Sequence, residues 1–179
     1  MVTVSGLHGS GKSTYSQWIA KEFGLRYVSA GELFRRIAGE KGMGLKEFSM
    51  VALQDPSIDQ MVDERSKQEA SKGNVVIDGQ LAAWMARQYA DLKIFFTAPA
   101  DVRIDRMAKR DGVSYSAKEE ETAMREKIQR ERYQETYGID INDLSIYDVV
   151  IDTNLLPIEG NINILKNIIS DYLAERRGK

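Results

Sequence analysis

Short apolar runs rich in β-branched residues alternate along the chain with longer segments of helical periodicity. "MVTVS" reads as a buried strand at the very start. "KSTYSQWIAKEF" follows as a helix, with Tyr15, Trp18, Ile19 and Phe23 as its apolar or aromatic positions. "RYVS" (26–29) predicts a second strand, "AGELFRRIAGEKG" a helix ending near Gly42, and "GLKEFSMVALQD" (44–55) a short helix stopped by Pro56. That proline opens the next helix, which Gly73 closes. "NVVIDG" (74–79), "LKIFFTA" (92–98) and "YDVVIDT" (147–153) predict three further strands, the first of them ending in an acid. Helices are expected over "LAAWMARQY", "PADVRIDRMAKRDG", the long polar stretch "SAKEEETAMREKIQRERYQETYG" and the amphipathic C-terminal segment. Strands interleaved with helices in this way predict an α/β fold: a doubly wound, five-stranded parallel sheet with helices on both faces. In such sheets ligands bind beyond the carboxyl ends of the strands, where Gly6–Lys12, Ser29–Gly31 and Asp78–Gly79 all fall.

Bulk properties narrow the class without naming a chemistry. A chain of 179 residues suits a single domain (1–179), and a net charge of −2 gives no global basic field for nucleic acid. Cysteine is absent, which excludes disulfides, thiolate metal sites and a cysteine nucleophile. No apolar run is long enough for a membrane span, and a strand beginning at residue 2 leaves no room for a targeting peptide, so a cytoplasmic protein is expected. A monomer is the expected state.

The chemistry is concentrated in "SGLHGSGKST" (5–14). Gly6-x-x-x-x-Gly11-Lys12-Ser13 matches the P-loop signature, and it lies between a strand and a helix as that motif requires. Its glycines let backbone N–H groups wrap a polyphosphate, and the helix N-terminus adds positive potential there. Gly6, Leu7, His8, Gly9, Ser10, Gly11, Lys12, Ser13 and Thr14 are therefore the expected ATP-binding residues. Lys12 would reach the β- and γ-phosphates and Ser13 would hold Mg²⁺, while Thr14 either contacts the α-phosphate or is structural. His8 is the sole histidine and reads as a loop position rather than a base, because phosphoryl transfer needs positioning and charge more than proton abstraction. Asp78, at its strand end, is a candidate to orient Mg²⁺ or to border the acceptor site, with a turn-forming Asp-Gly pair as the plain alternative.

Arginine is unevenly distributed. Six of the 13 arginines fall in the polar helix pair 100–135. Arg103, Arg106 and Arg110 share one helix face by spacing, as do Arg125 and Arg132. Some belong to ordinary Glu/Arg pairs on a solvated helix. With no continuous apolar stripe to anchor it, the segment also reads as a mobile lid that brings guanidinium groups onto phosphates. "SAGELFRR" places Ser29 and Gly31 at a helix start and Arg35 one turn on, which suits either a monophosphate acceptor or a simple capped helix.

The P-loop "GLHGSGKST", the segment "VSAGELFR", the strand end "VVIDG", the arginine-rich helices and "YGIDINDLSIYDVVIDT" together resemble the archaeal-type cytidylate kinases, a family of nucleoside monophosphate kinases. The resemblance runs from residue 1 to about 173. It implies a P-loop kinase with monophosphate-binding helices (approximately 30–73) and a lid (approximately 106–135), moving the ATP γ-phosphoryl group to CMP or dCMP with Mg²⁺. It implies Lys12, Arg125 and Arg132 as catalytic residues, Ser29, Gly31, Arg35, Asp78, Gly79 and Gln80 as acceptor-binding residues, and Ser13 and Asp78 at the metal. One position departs from the family pattern: Gln80 stands where related kinases commonly have arginine after the "DG" pair. Glutamine hydrogen-bonds a base or ribose but does not neutralise phosphate, so Arg87, Arg65 or Asp59 are candidates to complete the pocket. Trp84 and Met85 are expected in the core. Other small-molecule kinases acting on UMP, AMP, dTMP or shikimate remain open, although "DGQLA" is not the "DGFPR"-like segment an adenylate kinase prefers. A nucleotide-dependent switch is the other class, but the chain has no "NKxD" guanine-reading motif.

Overall fold

A computed structural model describes residues 1–177. Its elements, in order, are β1 (Val2–Gly6), α1 (Lys12–Glu22), β2 (Arg26–Ser29), α2 (Ala30–Glu40), α3 (Leu45–Gln54), α4 (Ser57–Ser71), β3 (Val75–Asp78), α5 (Ala82–Met85), β4 (Leu92–Thr97), α6 (Ala100–Asp111), α7 (Tyr115–Tyr137), β5 (Val149–Asp152) and α8 (Ile158–Arg177). The five strands pair in parallel in the order β2-β3-β1-β4-β5. The chain leaves β1 toward one edge and β3 toward the other, so the switch point lies between these neighbours. That is where a doubly wound sheet opens its ligand crevice. The register brings the chemistry level: Val4 and Ser29 both pair with Asp78.

Central strands read as continuous apolar runs because both faces are covered. β1 and β3 are buried at every position. Val2, Val4, Val76, Ile94 and Phe96 pack with Tyr15 and Ile19 of α1 and with Leu165 and Ile169 of α8. A second cluster (Ile37, Ala38, Phe48, Ala52, Ile58, Val62) binds α2, α3 and α4 to one another. Trp84 and Met85 are only half-buried, against a third cluster around Leu81, Tyr133 and Ile141, and Trp84 meets the Tyr147 ring edge-on.

The helix pair expected to lack an apolar stripe divides into two different objects. α6 has one: Ile104, Met107 and Ala108 are buried, and that half of the expectation is corrected. α7 does not; the buried residues of its 23 are Lys118, Thr122, Arg132 and Tyr133. Its attachment is polar. Lys118 pairs with Asp111 at 2.8 Å, Glu126 with Arg103 at 2.6 Å, and Arg132 with Asp59 at 2.7 Å. No helix among the described residues is long and apolar enough to cross a membrane.

Candidate active site

The loop after β1 folds as it does because two glycines stand where a side chain cannot. A Cβ on Gly6 (φ +146°) would lie 2.2 Å from the Phe96 carbonyl oxygen, and one on Gly9 (φ +77°) 2.5 Å from that of Arg103. The loop thus presses against the backbone of both β4 and α6. α1 then starts without a capping side chain and without an acid in its first turn. Its free N–H groups and dipole are left for an anion. α2 is the contrast: Ser29 Oγ accepts the Glu32 N–H at 3.2 Å, so this helix start is already capped.

These two helix starts open into one cavity of about 910 Å³ at the carboxyl end of the sheet. The structure brings to its wall His8, Gly9, Gly11, Lys12, Ser13, Thr14, Ser29, Gly31, Arg35, Asp78, Gly79, Gln80, Arg125 and Arg132 from the residues singled out in the sequence. Gly6, Leu7 and Ser10 do not line it. Gly6 and Ser10 are buried beneath the loop. Leu7 packs on the cluster around Tyr133, and its carbonyl accepts Lys12 Nζ at 2.8 Å. Arg106 and Arg110 also line the cavity. Arg65 and Arg87 do not, which corrects them as candidates to complete the pocket: Arg65 pairs with Glu69, and Arg87 lies by a separate surface depression with Lys67 and Trp84. Asp59, the third candidate, is on the wall.

Charge is the defining property of this space. Burial brings the Lys12 ammonium down to about 8; Asp78 opposes the shift, while Arg125 and Arg103 add to it. Burial, then the charges of Arg125 and Lys12, holds the His8 imidazole well below its ordinary value. Burial likewise lowers the Arg125 guanidinium, with Arg35 and Arg110 close enough to push the same way. Arg125 Nε is buried with no hydrogen-bond partner in the structure. Crowded cations with an unfilled donor describe a site shaped for a polyanion.

Other groups are committed. Ser13 Oγ and Tyr27 Oη donate to Asp78 Oδ2 at 2.8 and 2.9 Å. Arg103 donates to the His8 carbonyl at 2.8 Å and to Glu126, joining α6, α7 and the glycine loop. Arg106 is bonded to Thr153 Oγ1 and its carbonyl oxygen. Gln80, the departure noted in the sequence, spans two partners. Its Oε1 accepts Tyr133 Oη at 3.1 Å, and its Nε2 lies 3.2 Å from His8 Nε2, which also lies 2.7 Å from Gln129 Oε1.

Lys118, Thr122, Gln129 and Tyr133 are on the wall and went unread in the sequence. A signal existed. Residues 118, 122, 125, 129 and 132 recur at i, i+4, i+7 spacing, where an amphipathic helix would ordinarily place its apolar stripe. In α7 that stripe is polar and faces a cavity instead of a core.

A profile of the Cytidylate kinase-like family matches residues 1–155. The chain belongs to that family. It is 47% identical to a cytidylate kinase of Staphylothermus marinus over 98% of this chain and 99% of that one. It is 50% identical to a cytidylate kinase of Pyrococcus horikoshii, over 97% of this chain and 89% of the relative. In fold it is similar to a shikimate kinase from Bacteroides thetaiotaomicron, with TM-score 0.63 and 13% identity, covering 94% of this chain and 97% of that one. The fold is therefore that of a P-loop kinase, and the cavity is the candidate active site of a family member.

Proposed function

We propose that this enzyme transfers the γ-phosphoryl group of ATP to CMP or dCMP, giving ADP and CDP or dCDP. The observation that carries this reading is the single cavity joining the uncapped α1 start, with Lys12, to the α2 start, with Arg35, under the guanidinium of Arg125. Residues 9–14 would wrap the ATP phosphates through backbone N–H groups and Lys12. Arg35, whose Nη1 lies 3.5 Å from where a Cβ on Gly31 would stand, would bind the acceptor phosphate over the α2 N-terminus. Arg125 would neutralise charge on the transferring group. No general base is needed, because a phosphate monoester dianion is already a nucleophile near neutral pH. Ser13 Oγ and Asp78 Oδ2, 2.8 Å apart, are hard oxygens that fit Mg²⁺, an ion that keeps several waters and takes few protein ligands. When bound, Mg²⁺ would supply charge neutralisation on the phosphates.

Within a single domain we assign residues 30–73 to the acceptor side and 106–135 to a lid that excludes water. Arg132 belongs to that lid but is tied to Asp59, so its part in transfer is exercised from an ion pair. The protein is proposed to act as a cytoplasmic monomer. The test is ADP release from Mg-ATP with CMP, dCMP, UMP, AMP, dTMP, shikimate or no acceptor. CMP and dCMP are expected to lead by a wide margin. Equal ADP release without an acceptor would turn the reading toward a nucleotide-dependent switch.

A further inference from the structure

We propose that Asp63 determines acceptor specificity, its carboxyl reading the exocyclic amine of the acceptor's base. The inference rests on the functional reading above and extends it to a residue of α4. Asp63 lines the active-site cavity one helical turn after Asp59. The two carboxylates are not equivalent. Asp59 is 7% exposed and held in the ion pair to Arg132. Asp63 takes the phenol of Tyr137 on Oδ2, which fixes the carboxyl on the α4 side of the cavity and leaves its other oxygen for a ligand.

The cavity is also polarised. Lys12, Arg103 and Arg125 act on one another and on His8 around the glycine loop, and Arg35 and Arg110 on Arg125. The charges that act most on Asp63 are Asp59, Lys67 and Arg132. A nucleoside monophosphate has the same asymmetry: a dianion at one end and a neutral base with N–H donors at the other. With its phosphate among the cations of the glycine loop and α2, its base falls to the α4 side, where Arg132 neutralises Asp59 and Asp63 is the carboxyl left to it.

Hydrogen-bond chemistry then selects the base. Cytosine presents the 4-amino donor beside the N3 acceptor, and a carboxyl group accepts from that amine. Uracil puts a carbonyl oxygen at the same place, so two acceptors would meet with no proton between them, an unmet pairing that is costly once desolvated. Burial pushes the Asp63 carboxyl up to about 6, and above that pH it presents only acceptors to the base.

The test compares kcat/KM for CMP, for its analogue lacking the 4-amino group (the 2-pyrimidinone ribonucleotide) and for UMP, at saturating Mg-ATP, in wild type and Asp63→Asn. The amide oxygen still accepts the Tyr137 phenol, so the α4–α7 contact survives the substitution. In wild type, removing the amine is expected to cost about tenfold or more, the worth of one good base contact. In Asp63→Asn that penalty should shrink to within about threefold and the CMP/UMP ratio should fall at least tenfold, with the KM for ATP unchanged. An unchanged amine penalty in the variant, or an equal loss on all three acceptors, would make Asp63 a structural latch and overturn the proposal. A wild type indifferent to the amine overturns it with no variant at all. A wild type that phosphorylates neither cytidylate nor the other two acceptors contradicts the functional reading itself and removes this proposal with it.

Discussion

The two walls of the cavity are built in opposite ways. The phosphate side is one contiguous loop whose shape is imposed by backbone: Gly6 and Gly9 fit where a Cβ would strike a carbonyl oxygen, and α1 presents unsatisfied N–H groups. The acceptor and lid side is made of long polar side chains from α2, α4 and α7. α2 and α4 rest on their own apolar cluster, but α7 is held by ion pairs such as Arg132–Asp59 and Arg103–Glu126 rather than by an apolar stripe. Backbone cradles accept any polyphosphate, whereas side-chain walls distinguish one acceptor from another. The difference teaches where change is tolerated: the first wall fails as a unit, and the second is tuned residue by residue.

The largest effect should come from the backbone wall's one essential side chain. Lys12→Ala is expected to lower kcat by at least about 10²–10³, the scale for removing one preorganised charge donor, with the fold intact by circular dichroism. Turnover near wild type would break the assignment of this wall. Next come the two lid arginines, which the structure separates. Arg125→Ala should depress kcat more than it weakens ATP binding, with little change in melting temperature, because its Nε has no protein partner to lose. Arg132→Ala should instead leave the buried Asp59 carboxylate unpaired and cost about 3–5 kcal/mol of stability, read from urea unfolding. Exchanged phenotypes would mean that the ion pair, not the open guanidinium, marks the phosphate site.

A pH series sharpens the same contrast. Lys12 titrates at about 8 without nucleotide, and bound phosphates favour its charged form, so ATP binding takes up a proton above that pH. ATP affinity is expected to fall as pH rises from 8, approaching tenfold per pH unit, and to lose this slope in Lys12→Ala. The folding linkage has the opposite sign. The unfolded chain holds the Lys12 proton up to its ordinary value near 10.5, so this residue's destabilisation is fully present below about 8 and is relieved as pH rises between the two.

The smallest effect concerns Gln80. Gln80→Ala removes the bond to Tyr133 and the contact with His8 but no charge. It should cost about 1–2 kcal/mol of stability and change acceptor KM by only a few fold, measured by urea unfolding and steady-state kinetics.

The difference between the walls also explains what could be read in advance. The five strands, their interleaving with helices and the P-loop were legible because periodicity and a contiguous motif encode them, whereas the strand order came only from the structure; Lys12, Ser13 and Asp78 all line the cavity at the switch point. α6 was misjudged: three arginines obscured the apolar positions Ile104, Met107 and Ala108 lying between them. The acceptor wall was the least legible part. Asp63, Gln129 and Tyr133 come together only through the packing of α4 and α7; the helix bearing Asp63 could be placed on the acceptor side and the polar stripe of α7 marked Gln129, but no local pattern shows that they share one wall. Gln80 appeared as a defect against the family pattern. The structure gives it two partners, His8 and Tyr133, which tie the glycine loop to the lid.

The central claim is that one cavity aligns the γ-phosphorus of ATP with the phosphate of a cytidylate. It is tested most directly by incubating the enzyme with ATP labelled in its γ-phosphate, CMP and Mg²⁺, and following the label by chromatography. The account predicts that the label leaves ATP as the β-phosphate of CDP, with little free phosphate while CMP is present. Label appearing chiefly as inorganic phosphate, at a rate indifferent to CMP, would contradict it.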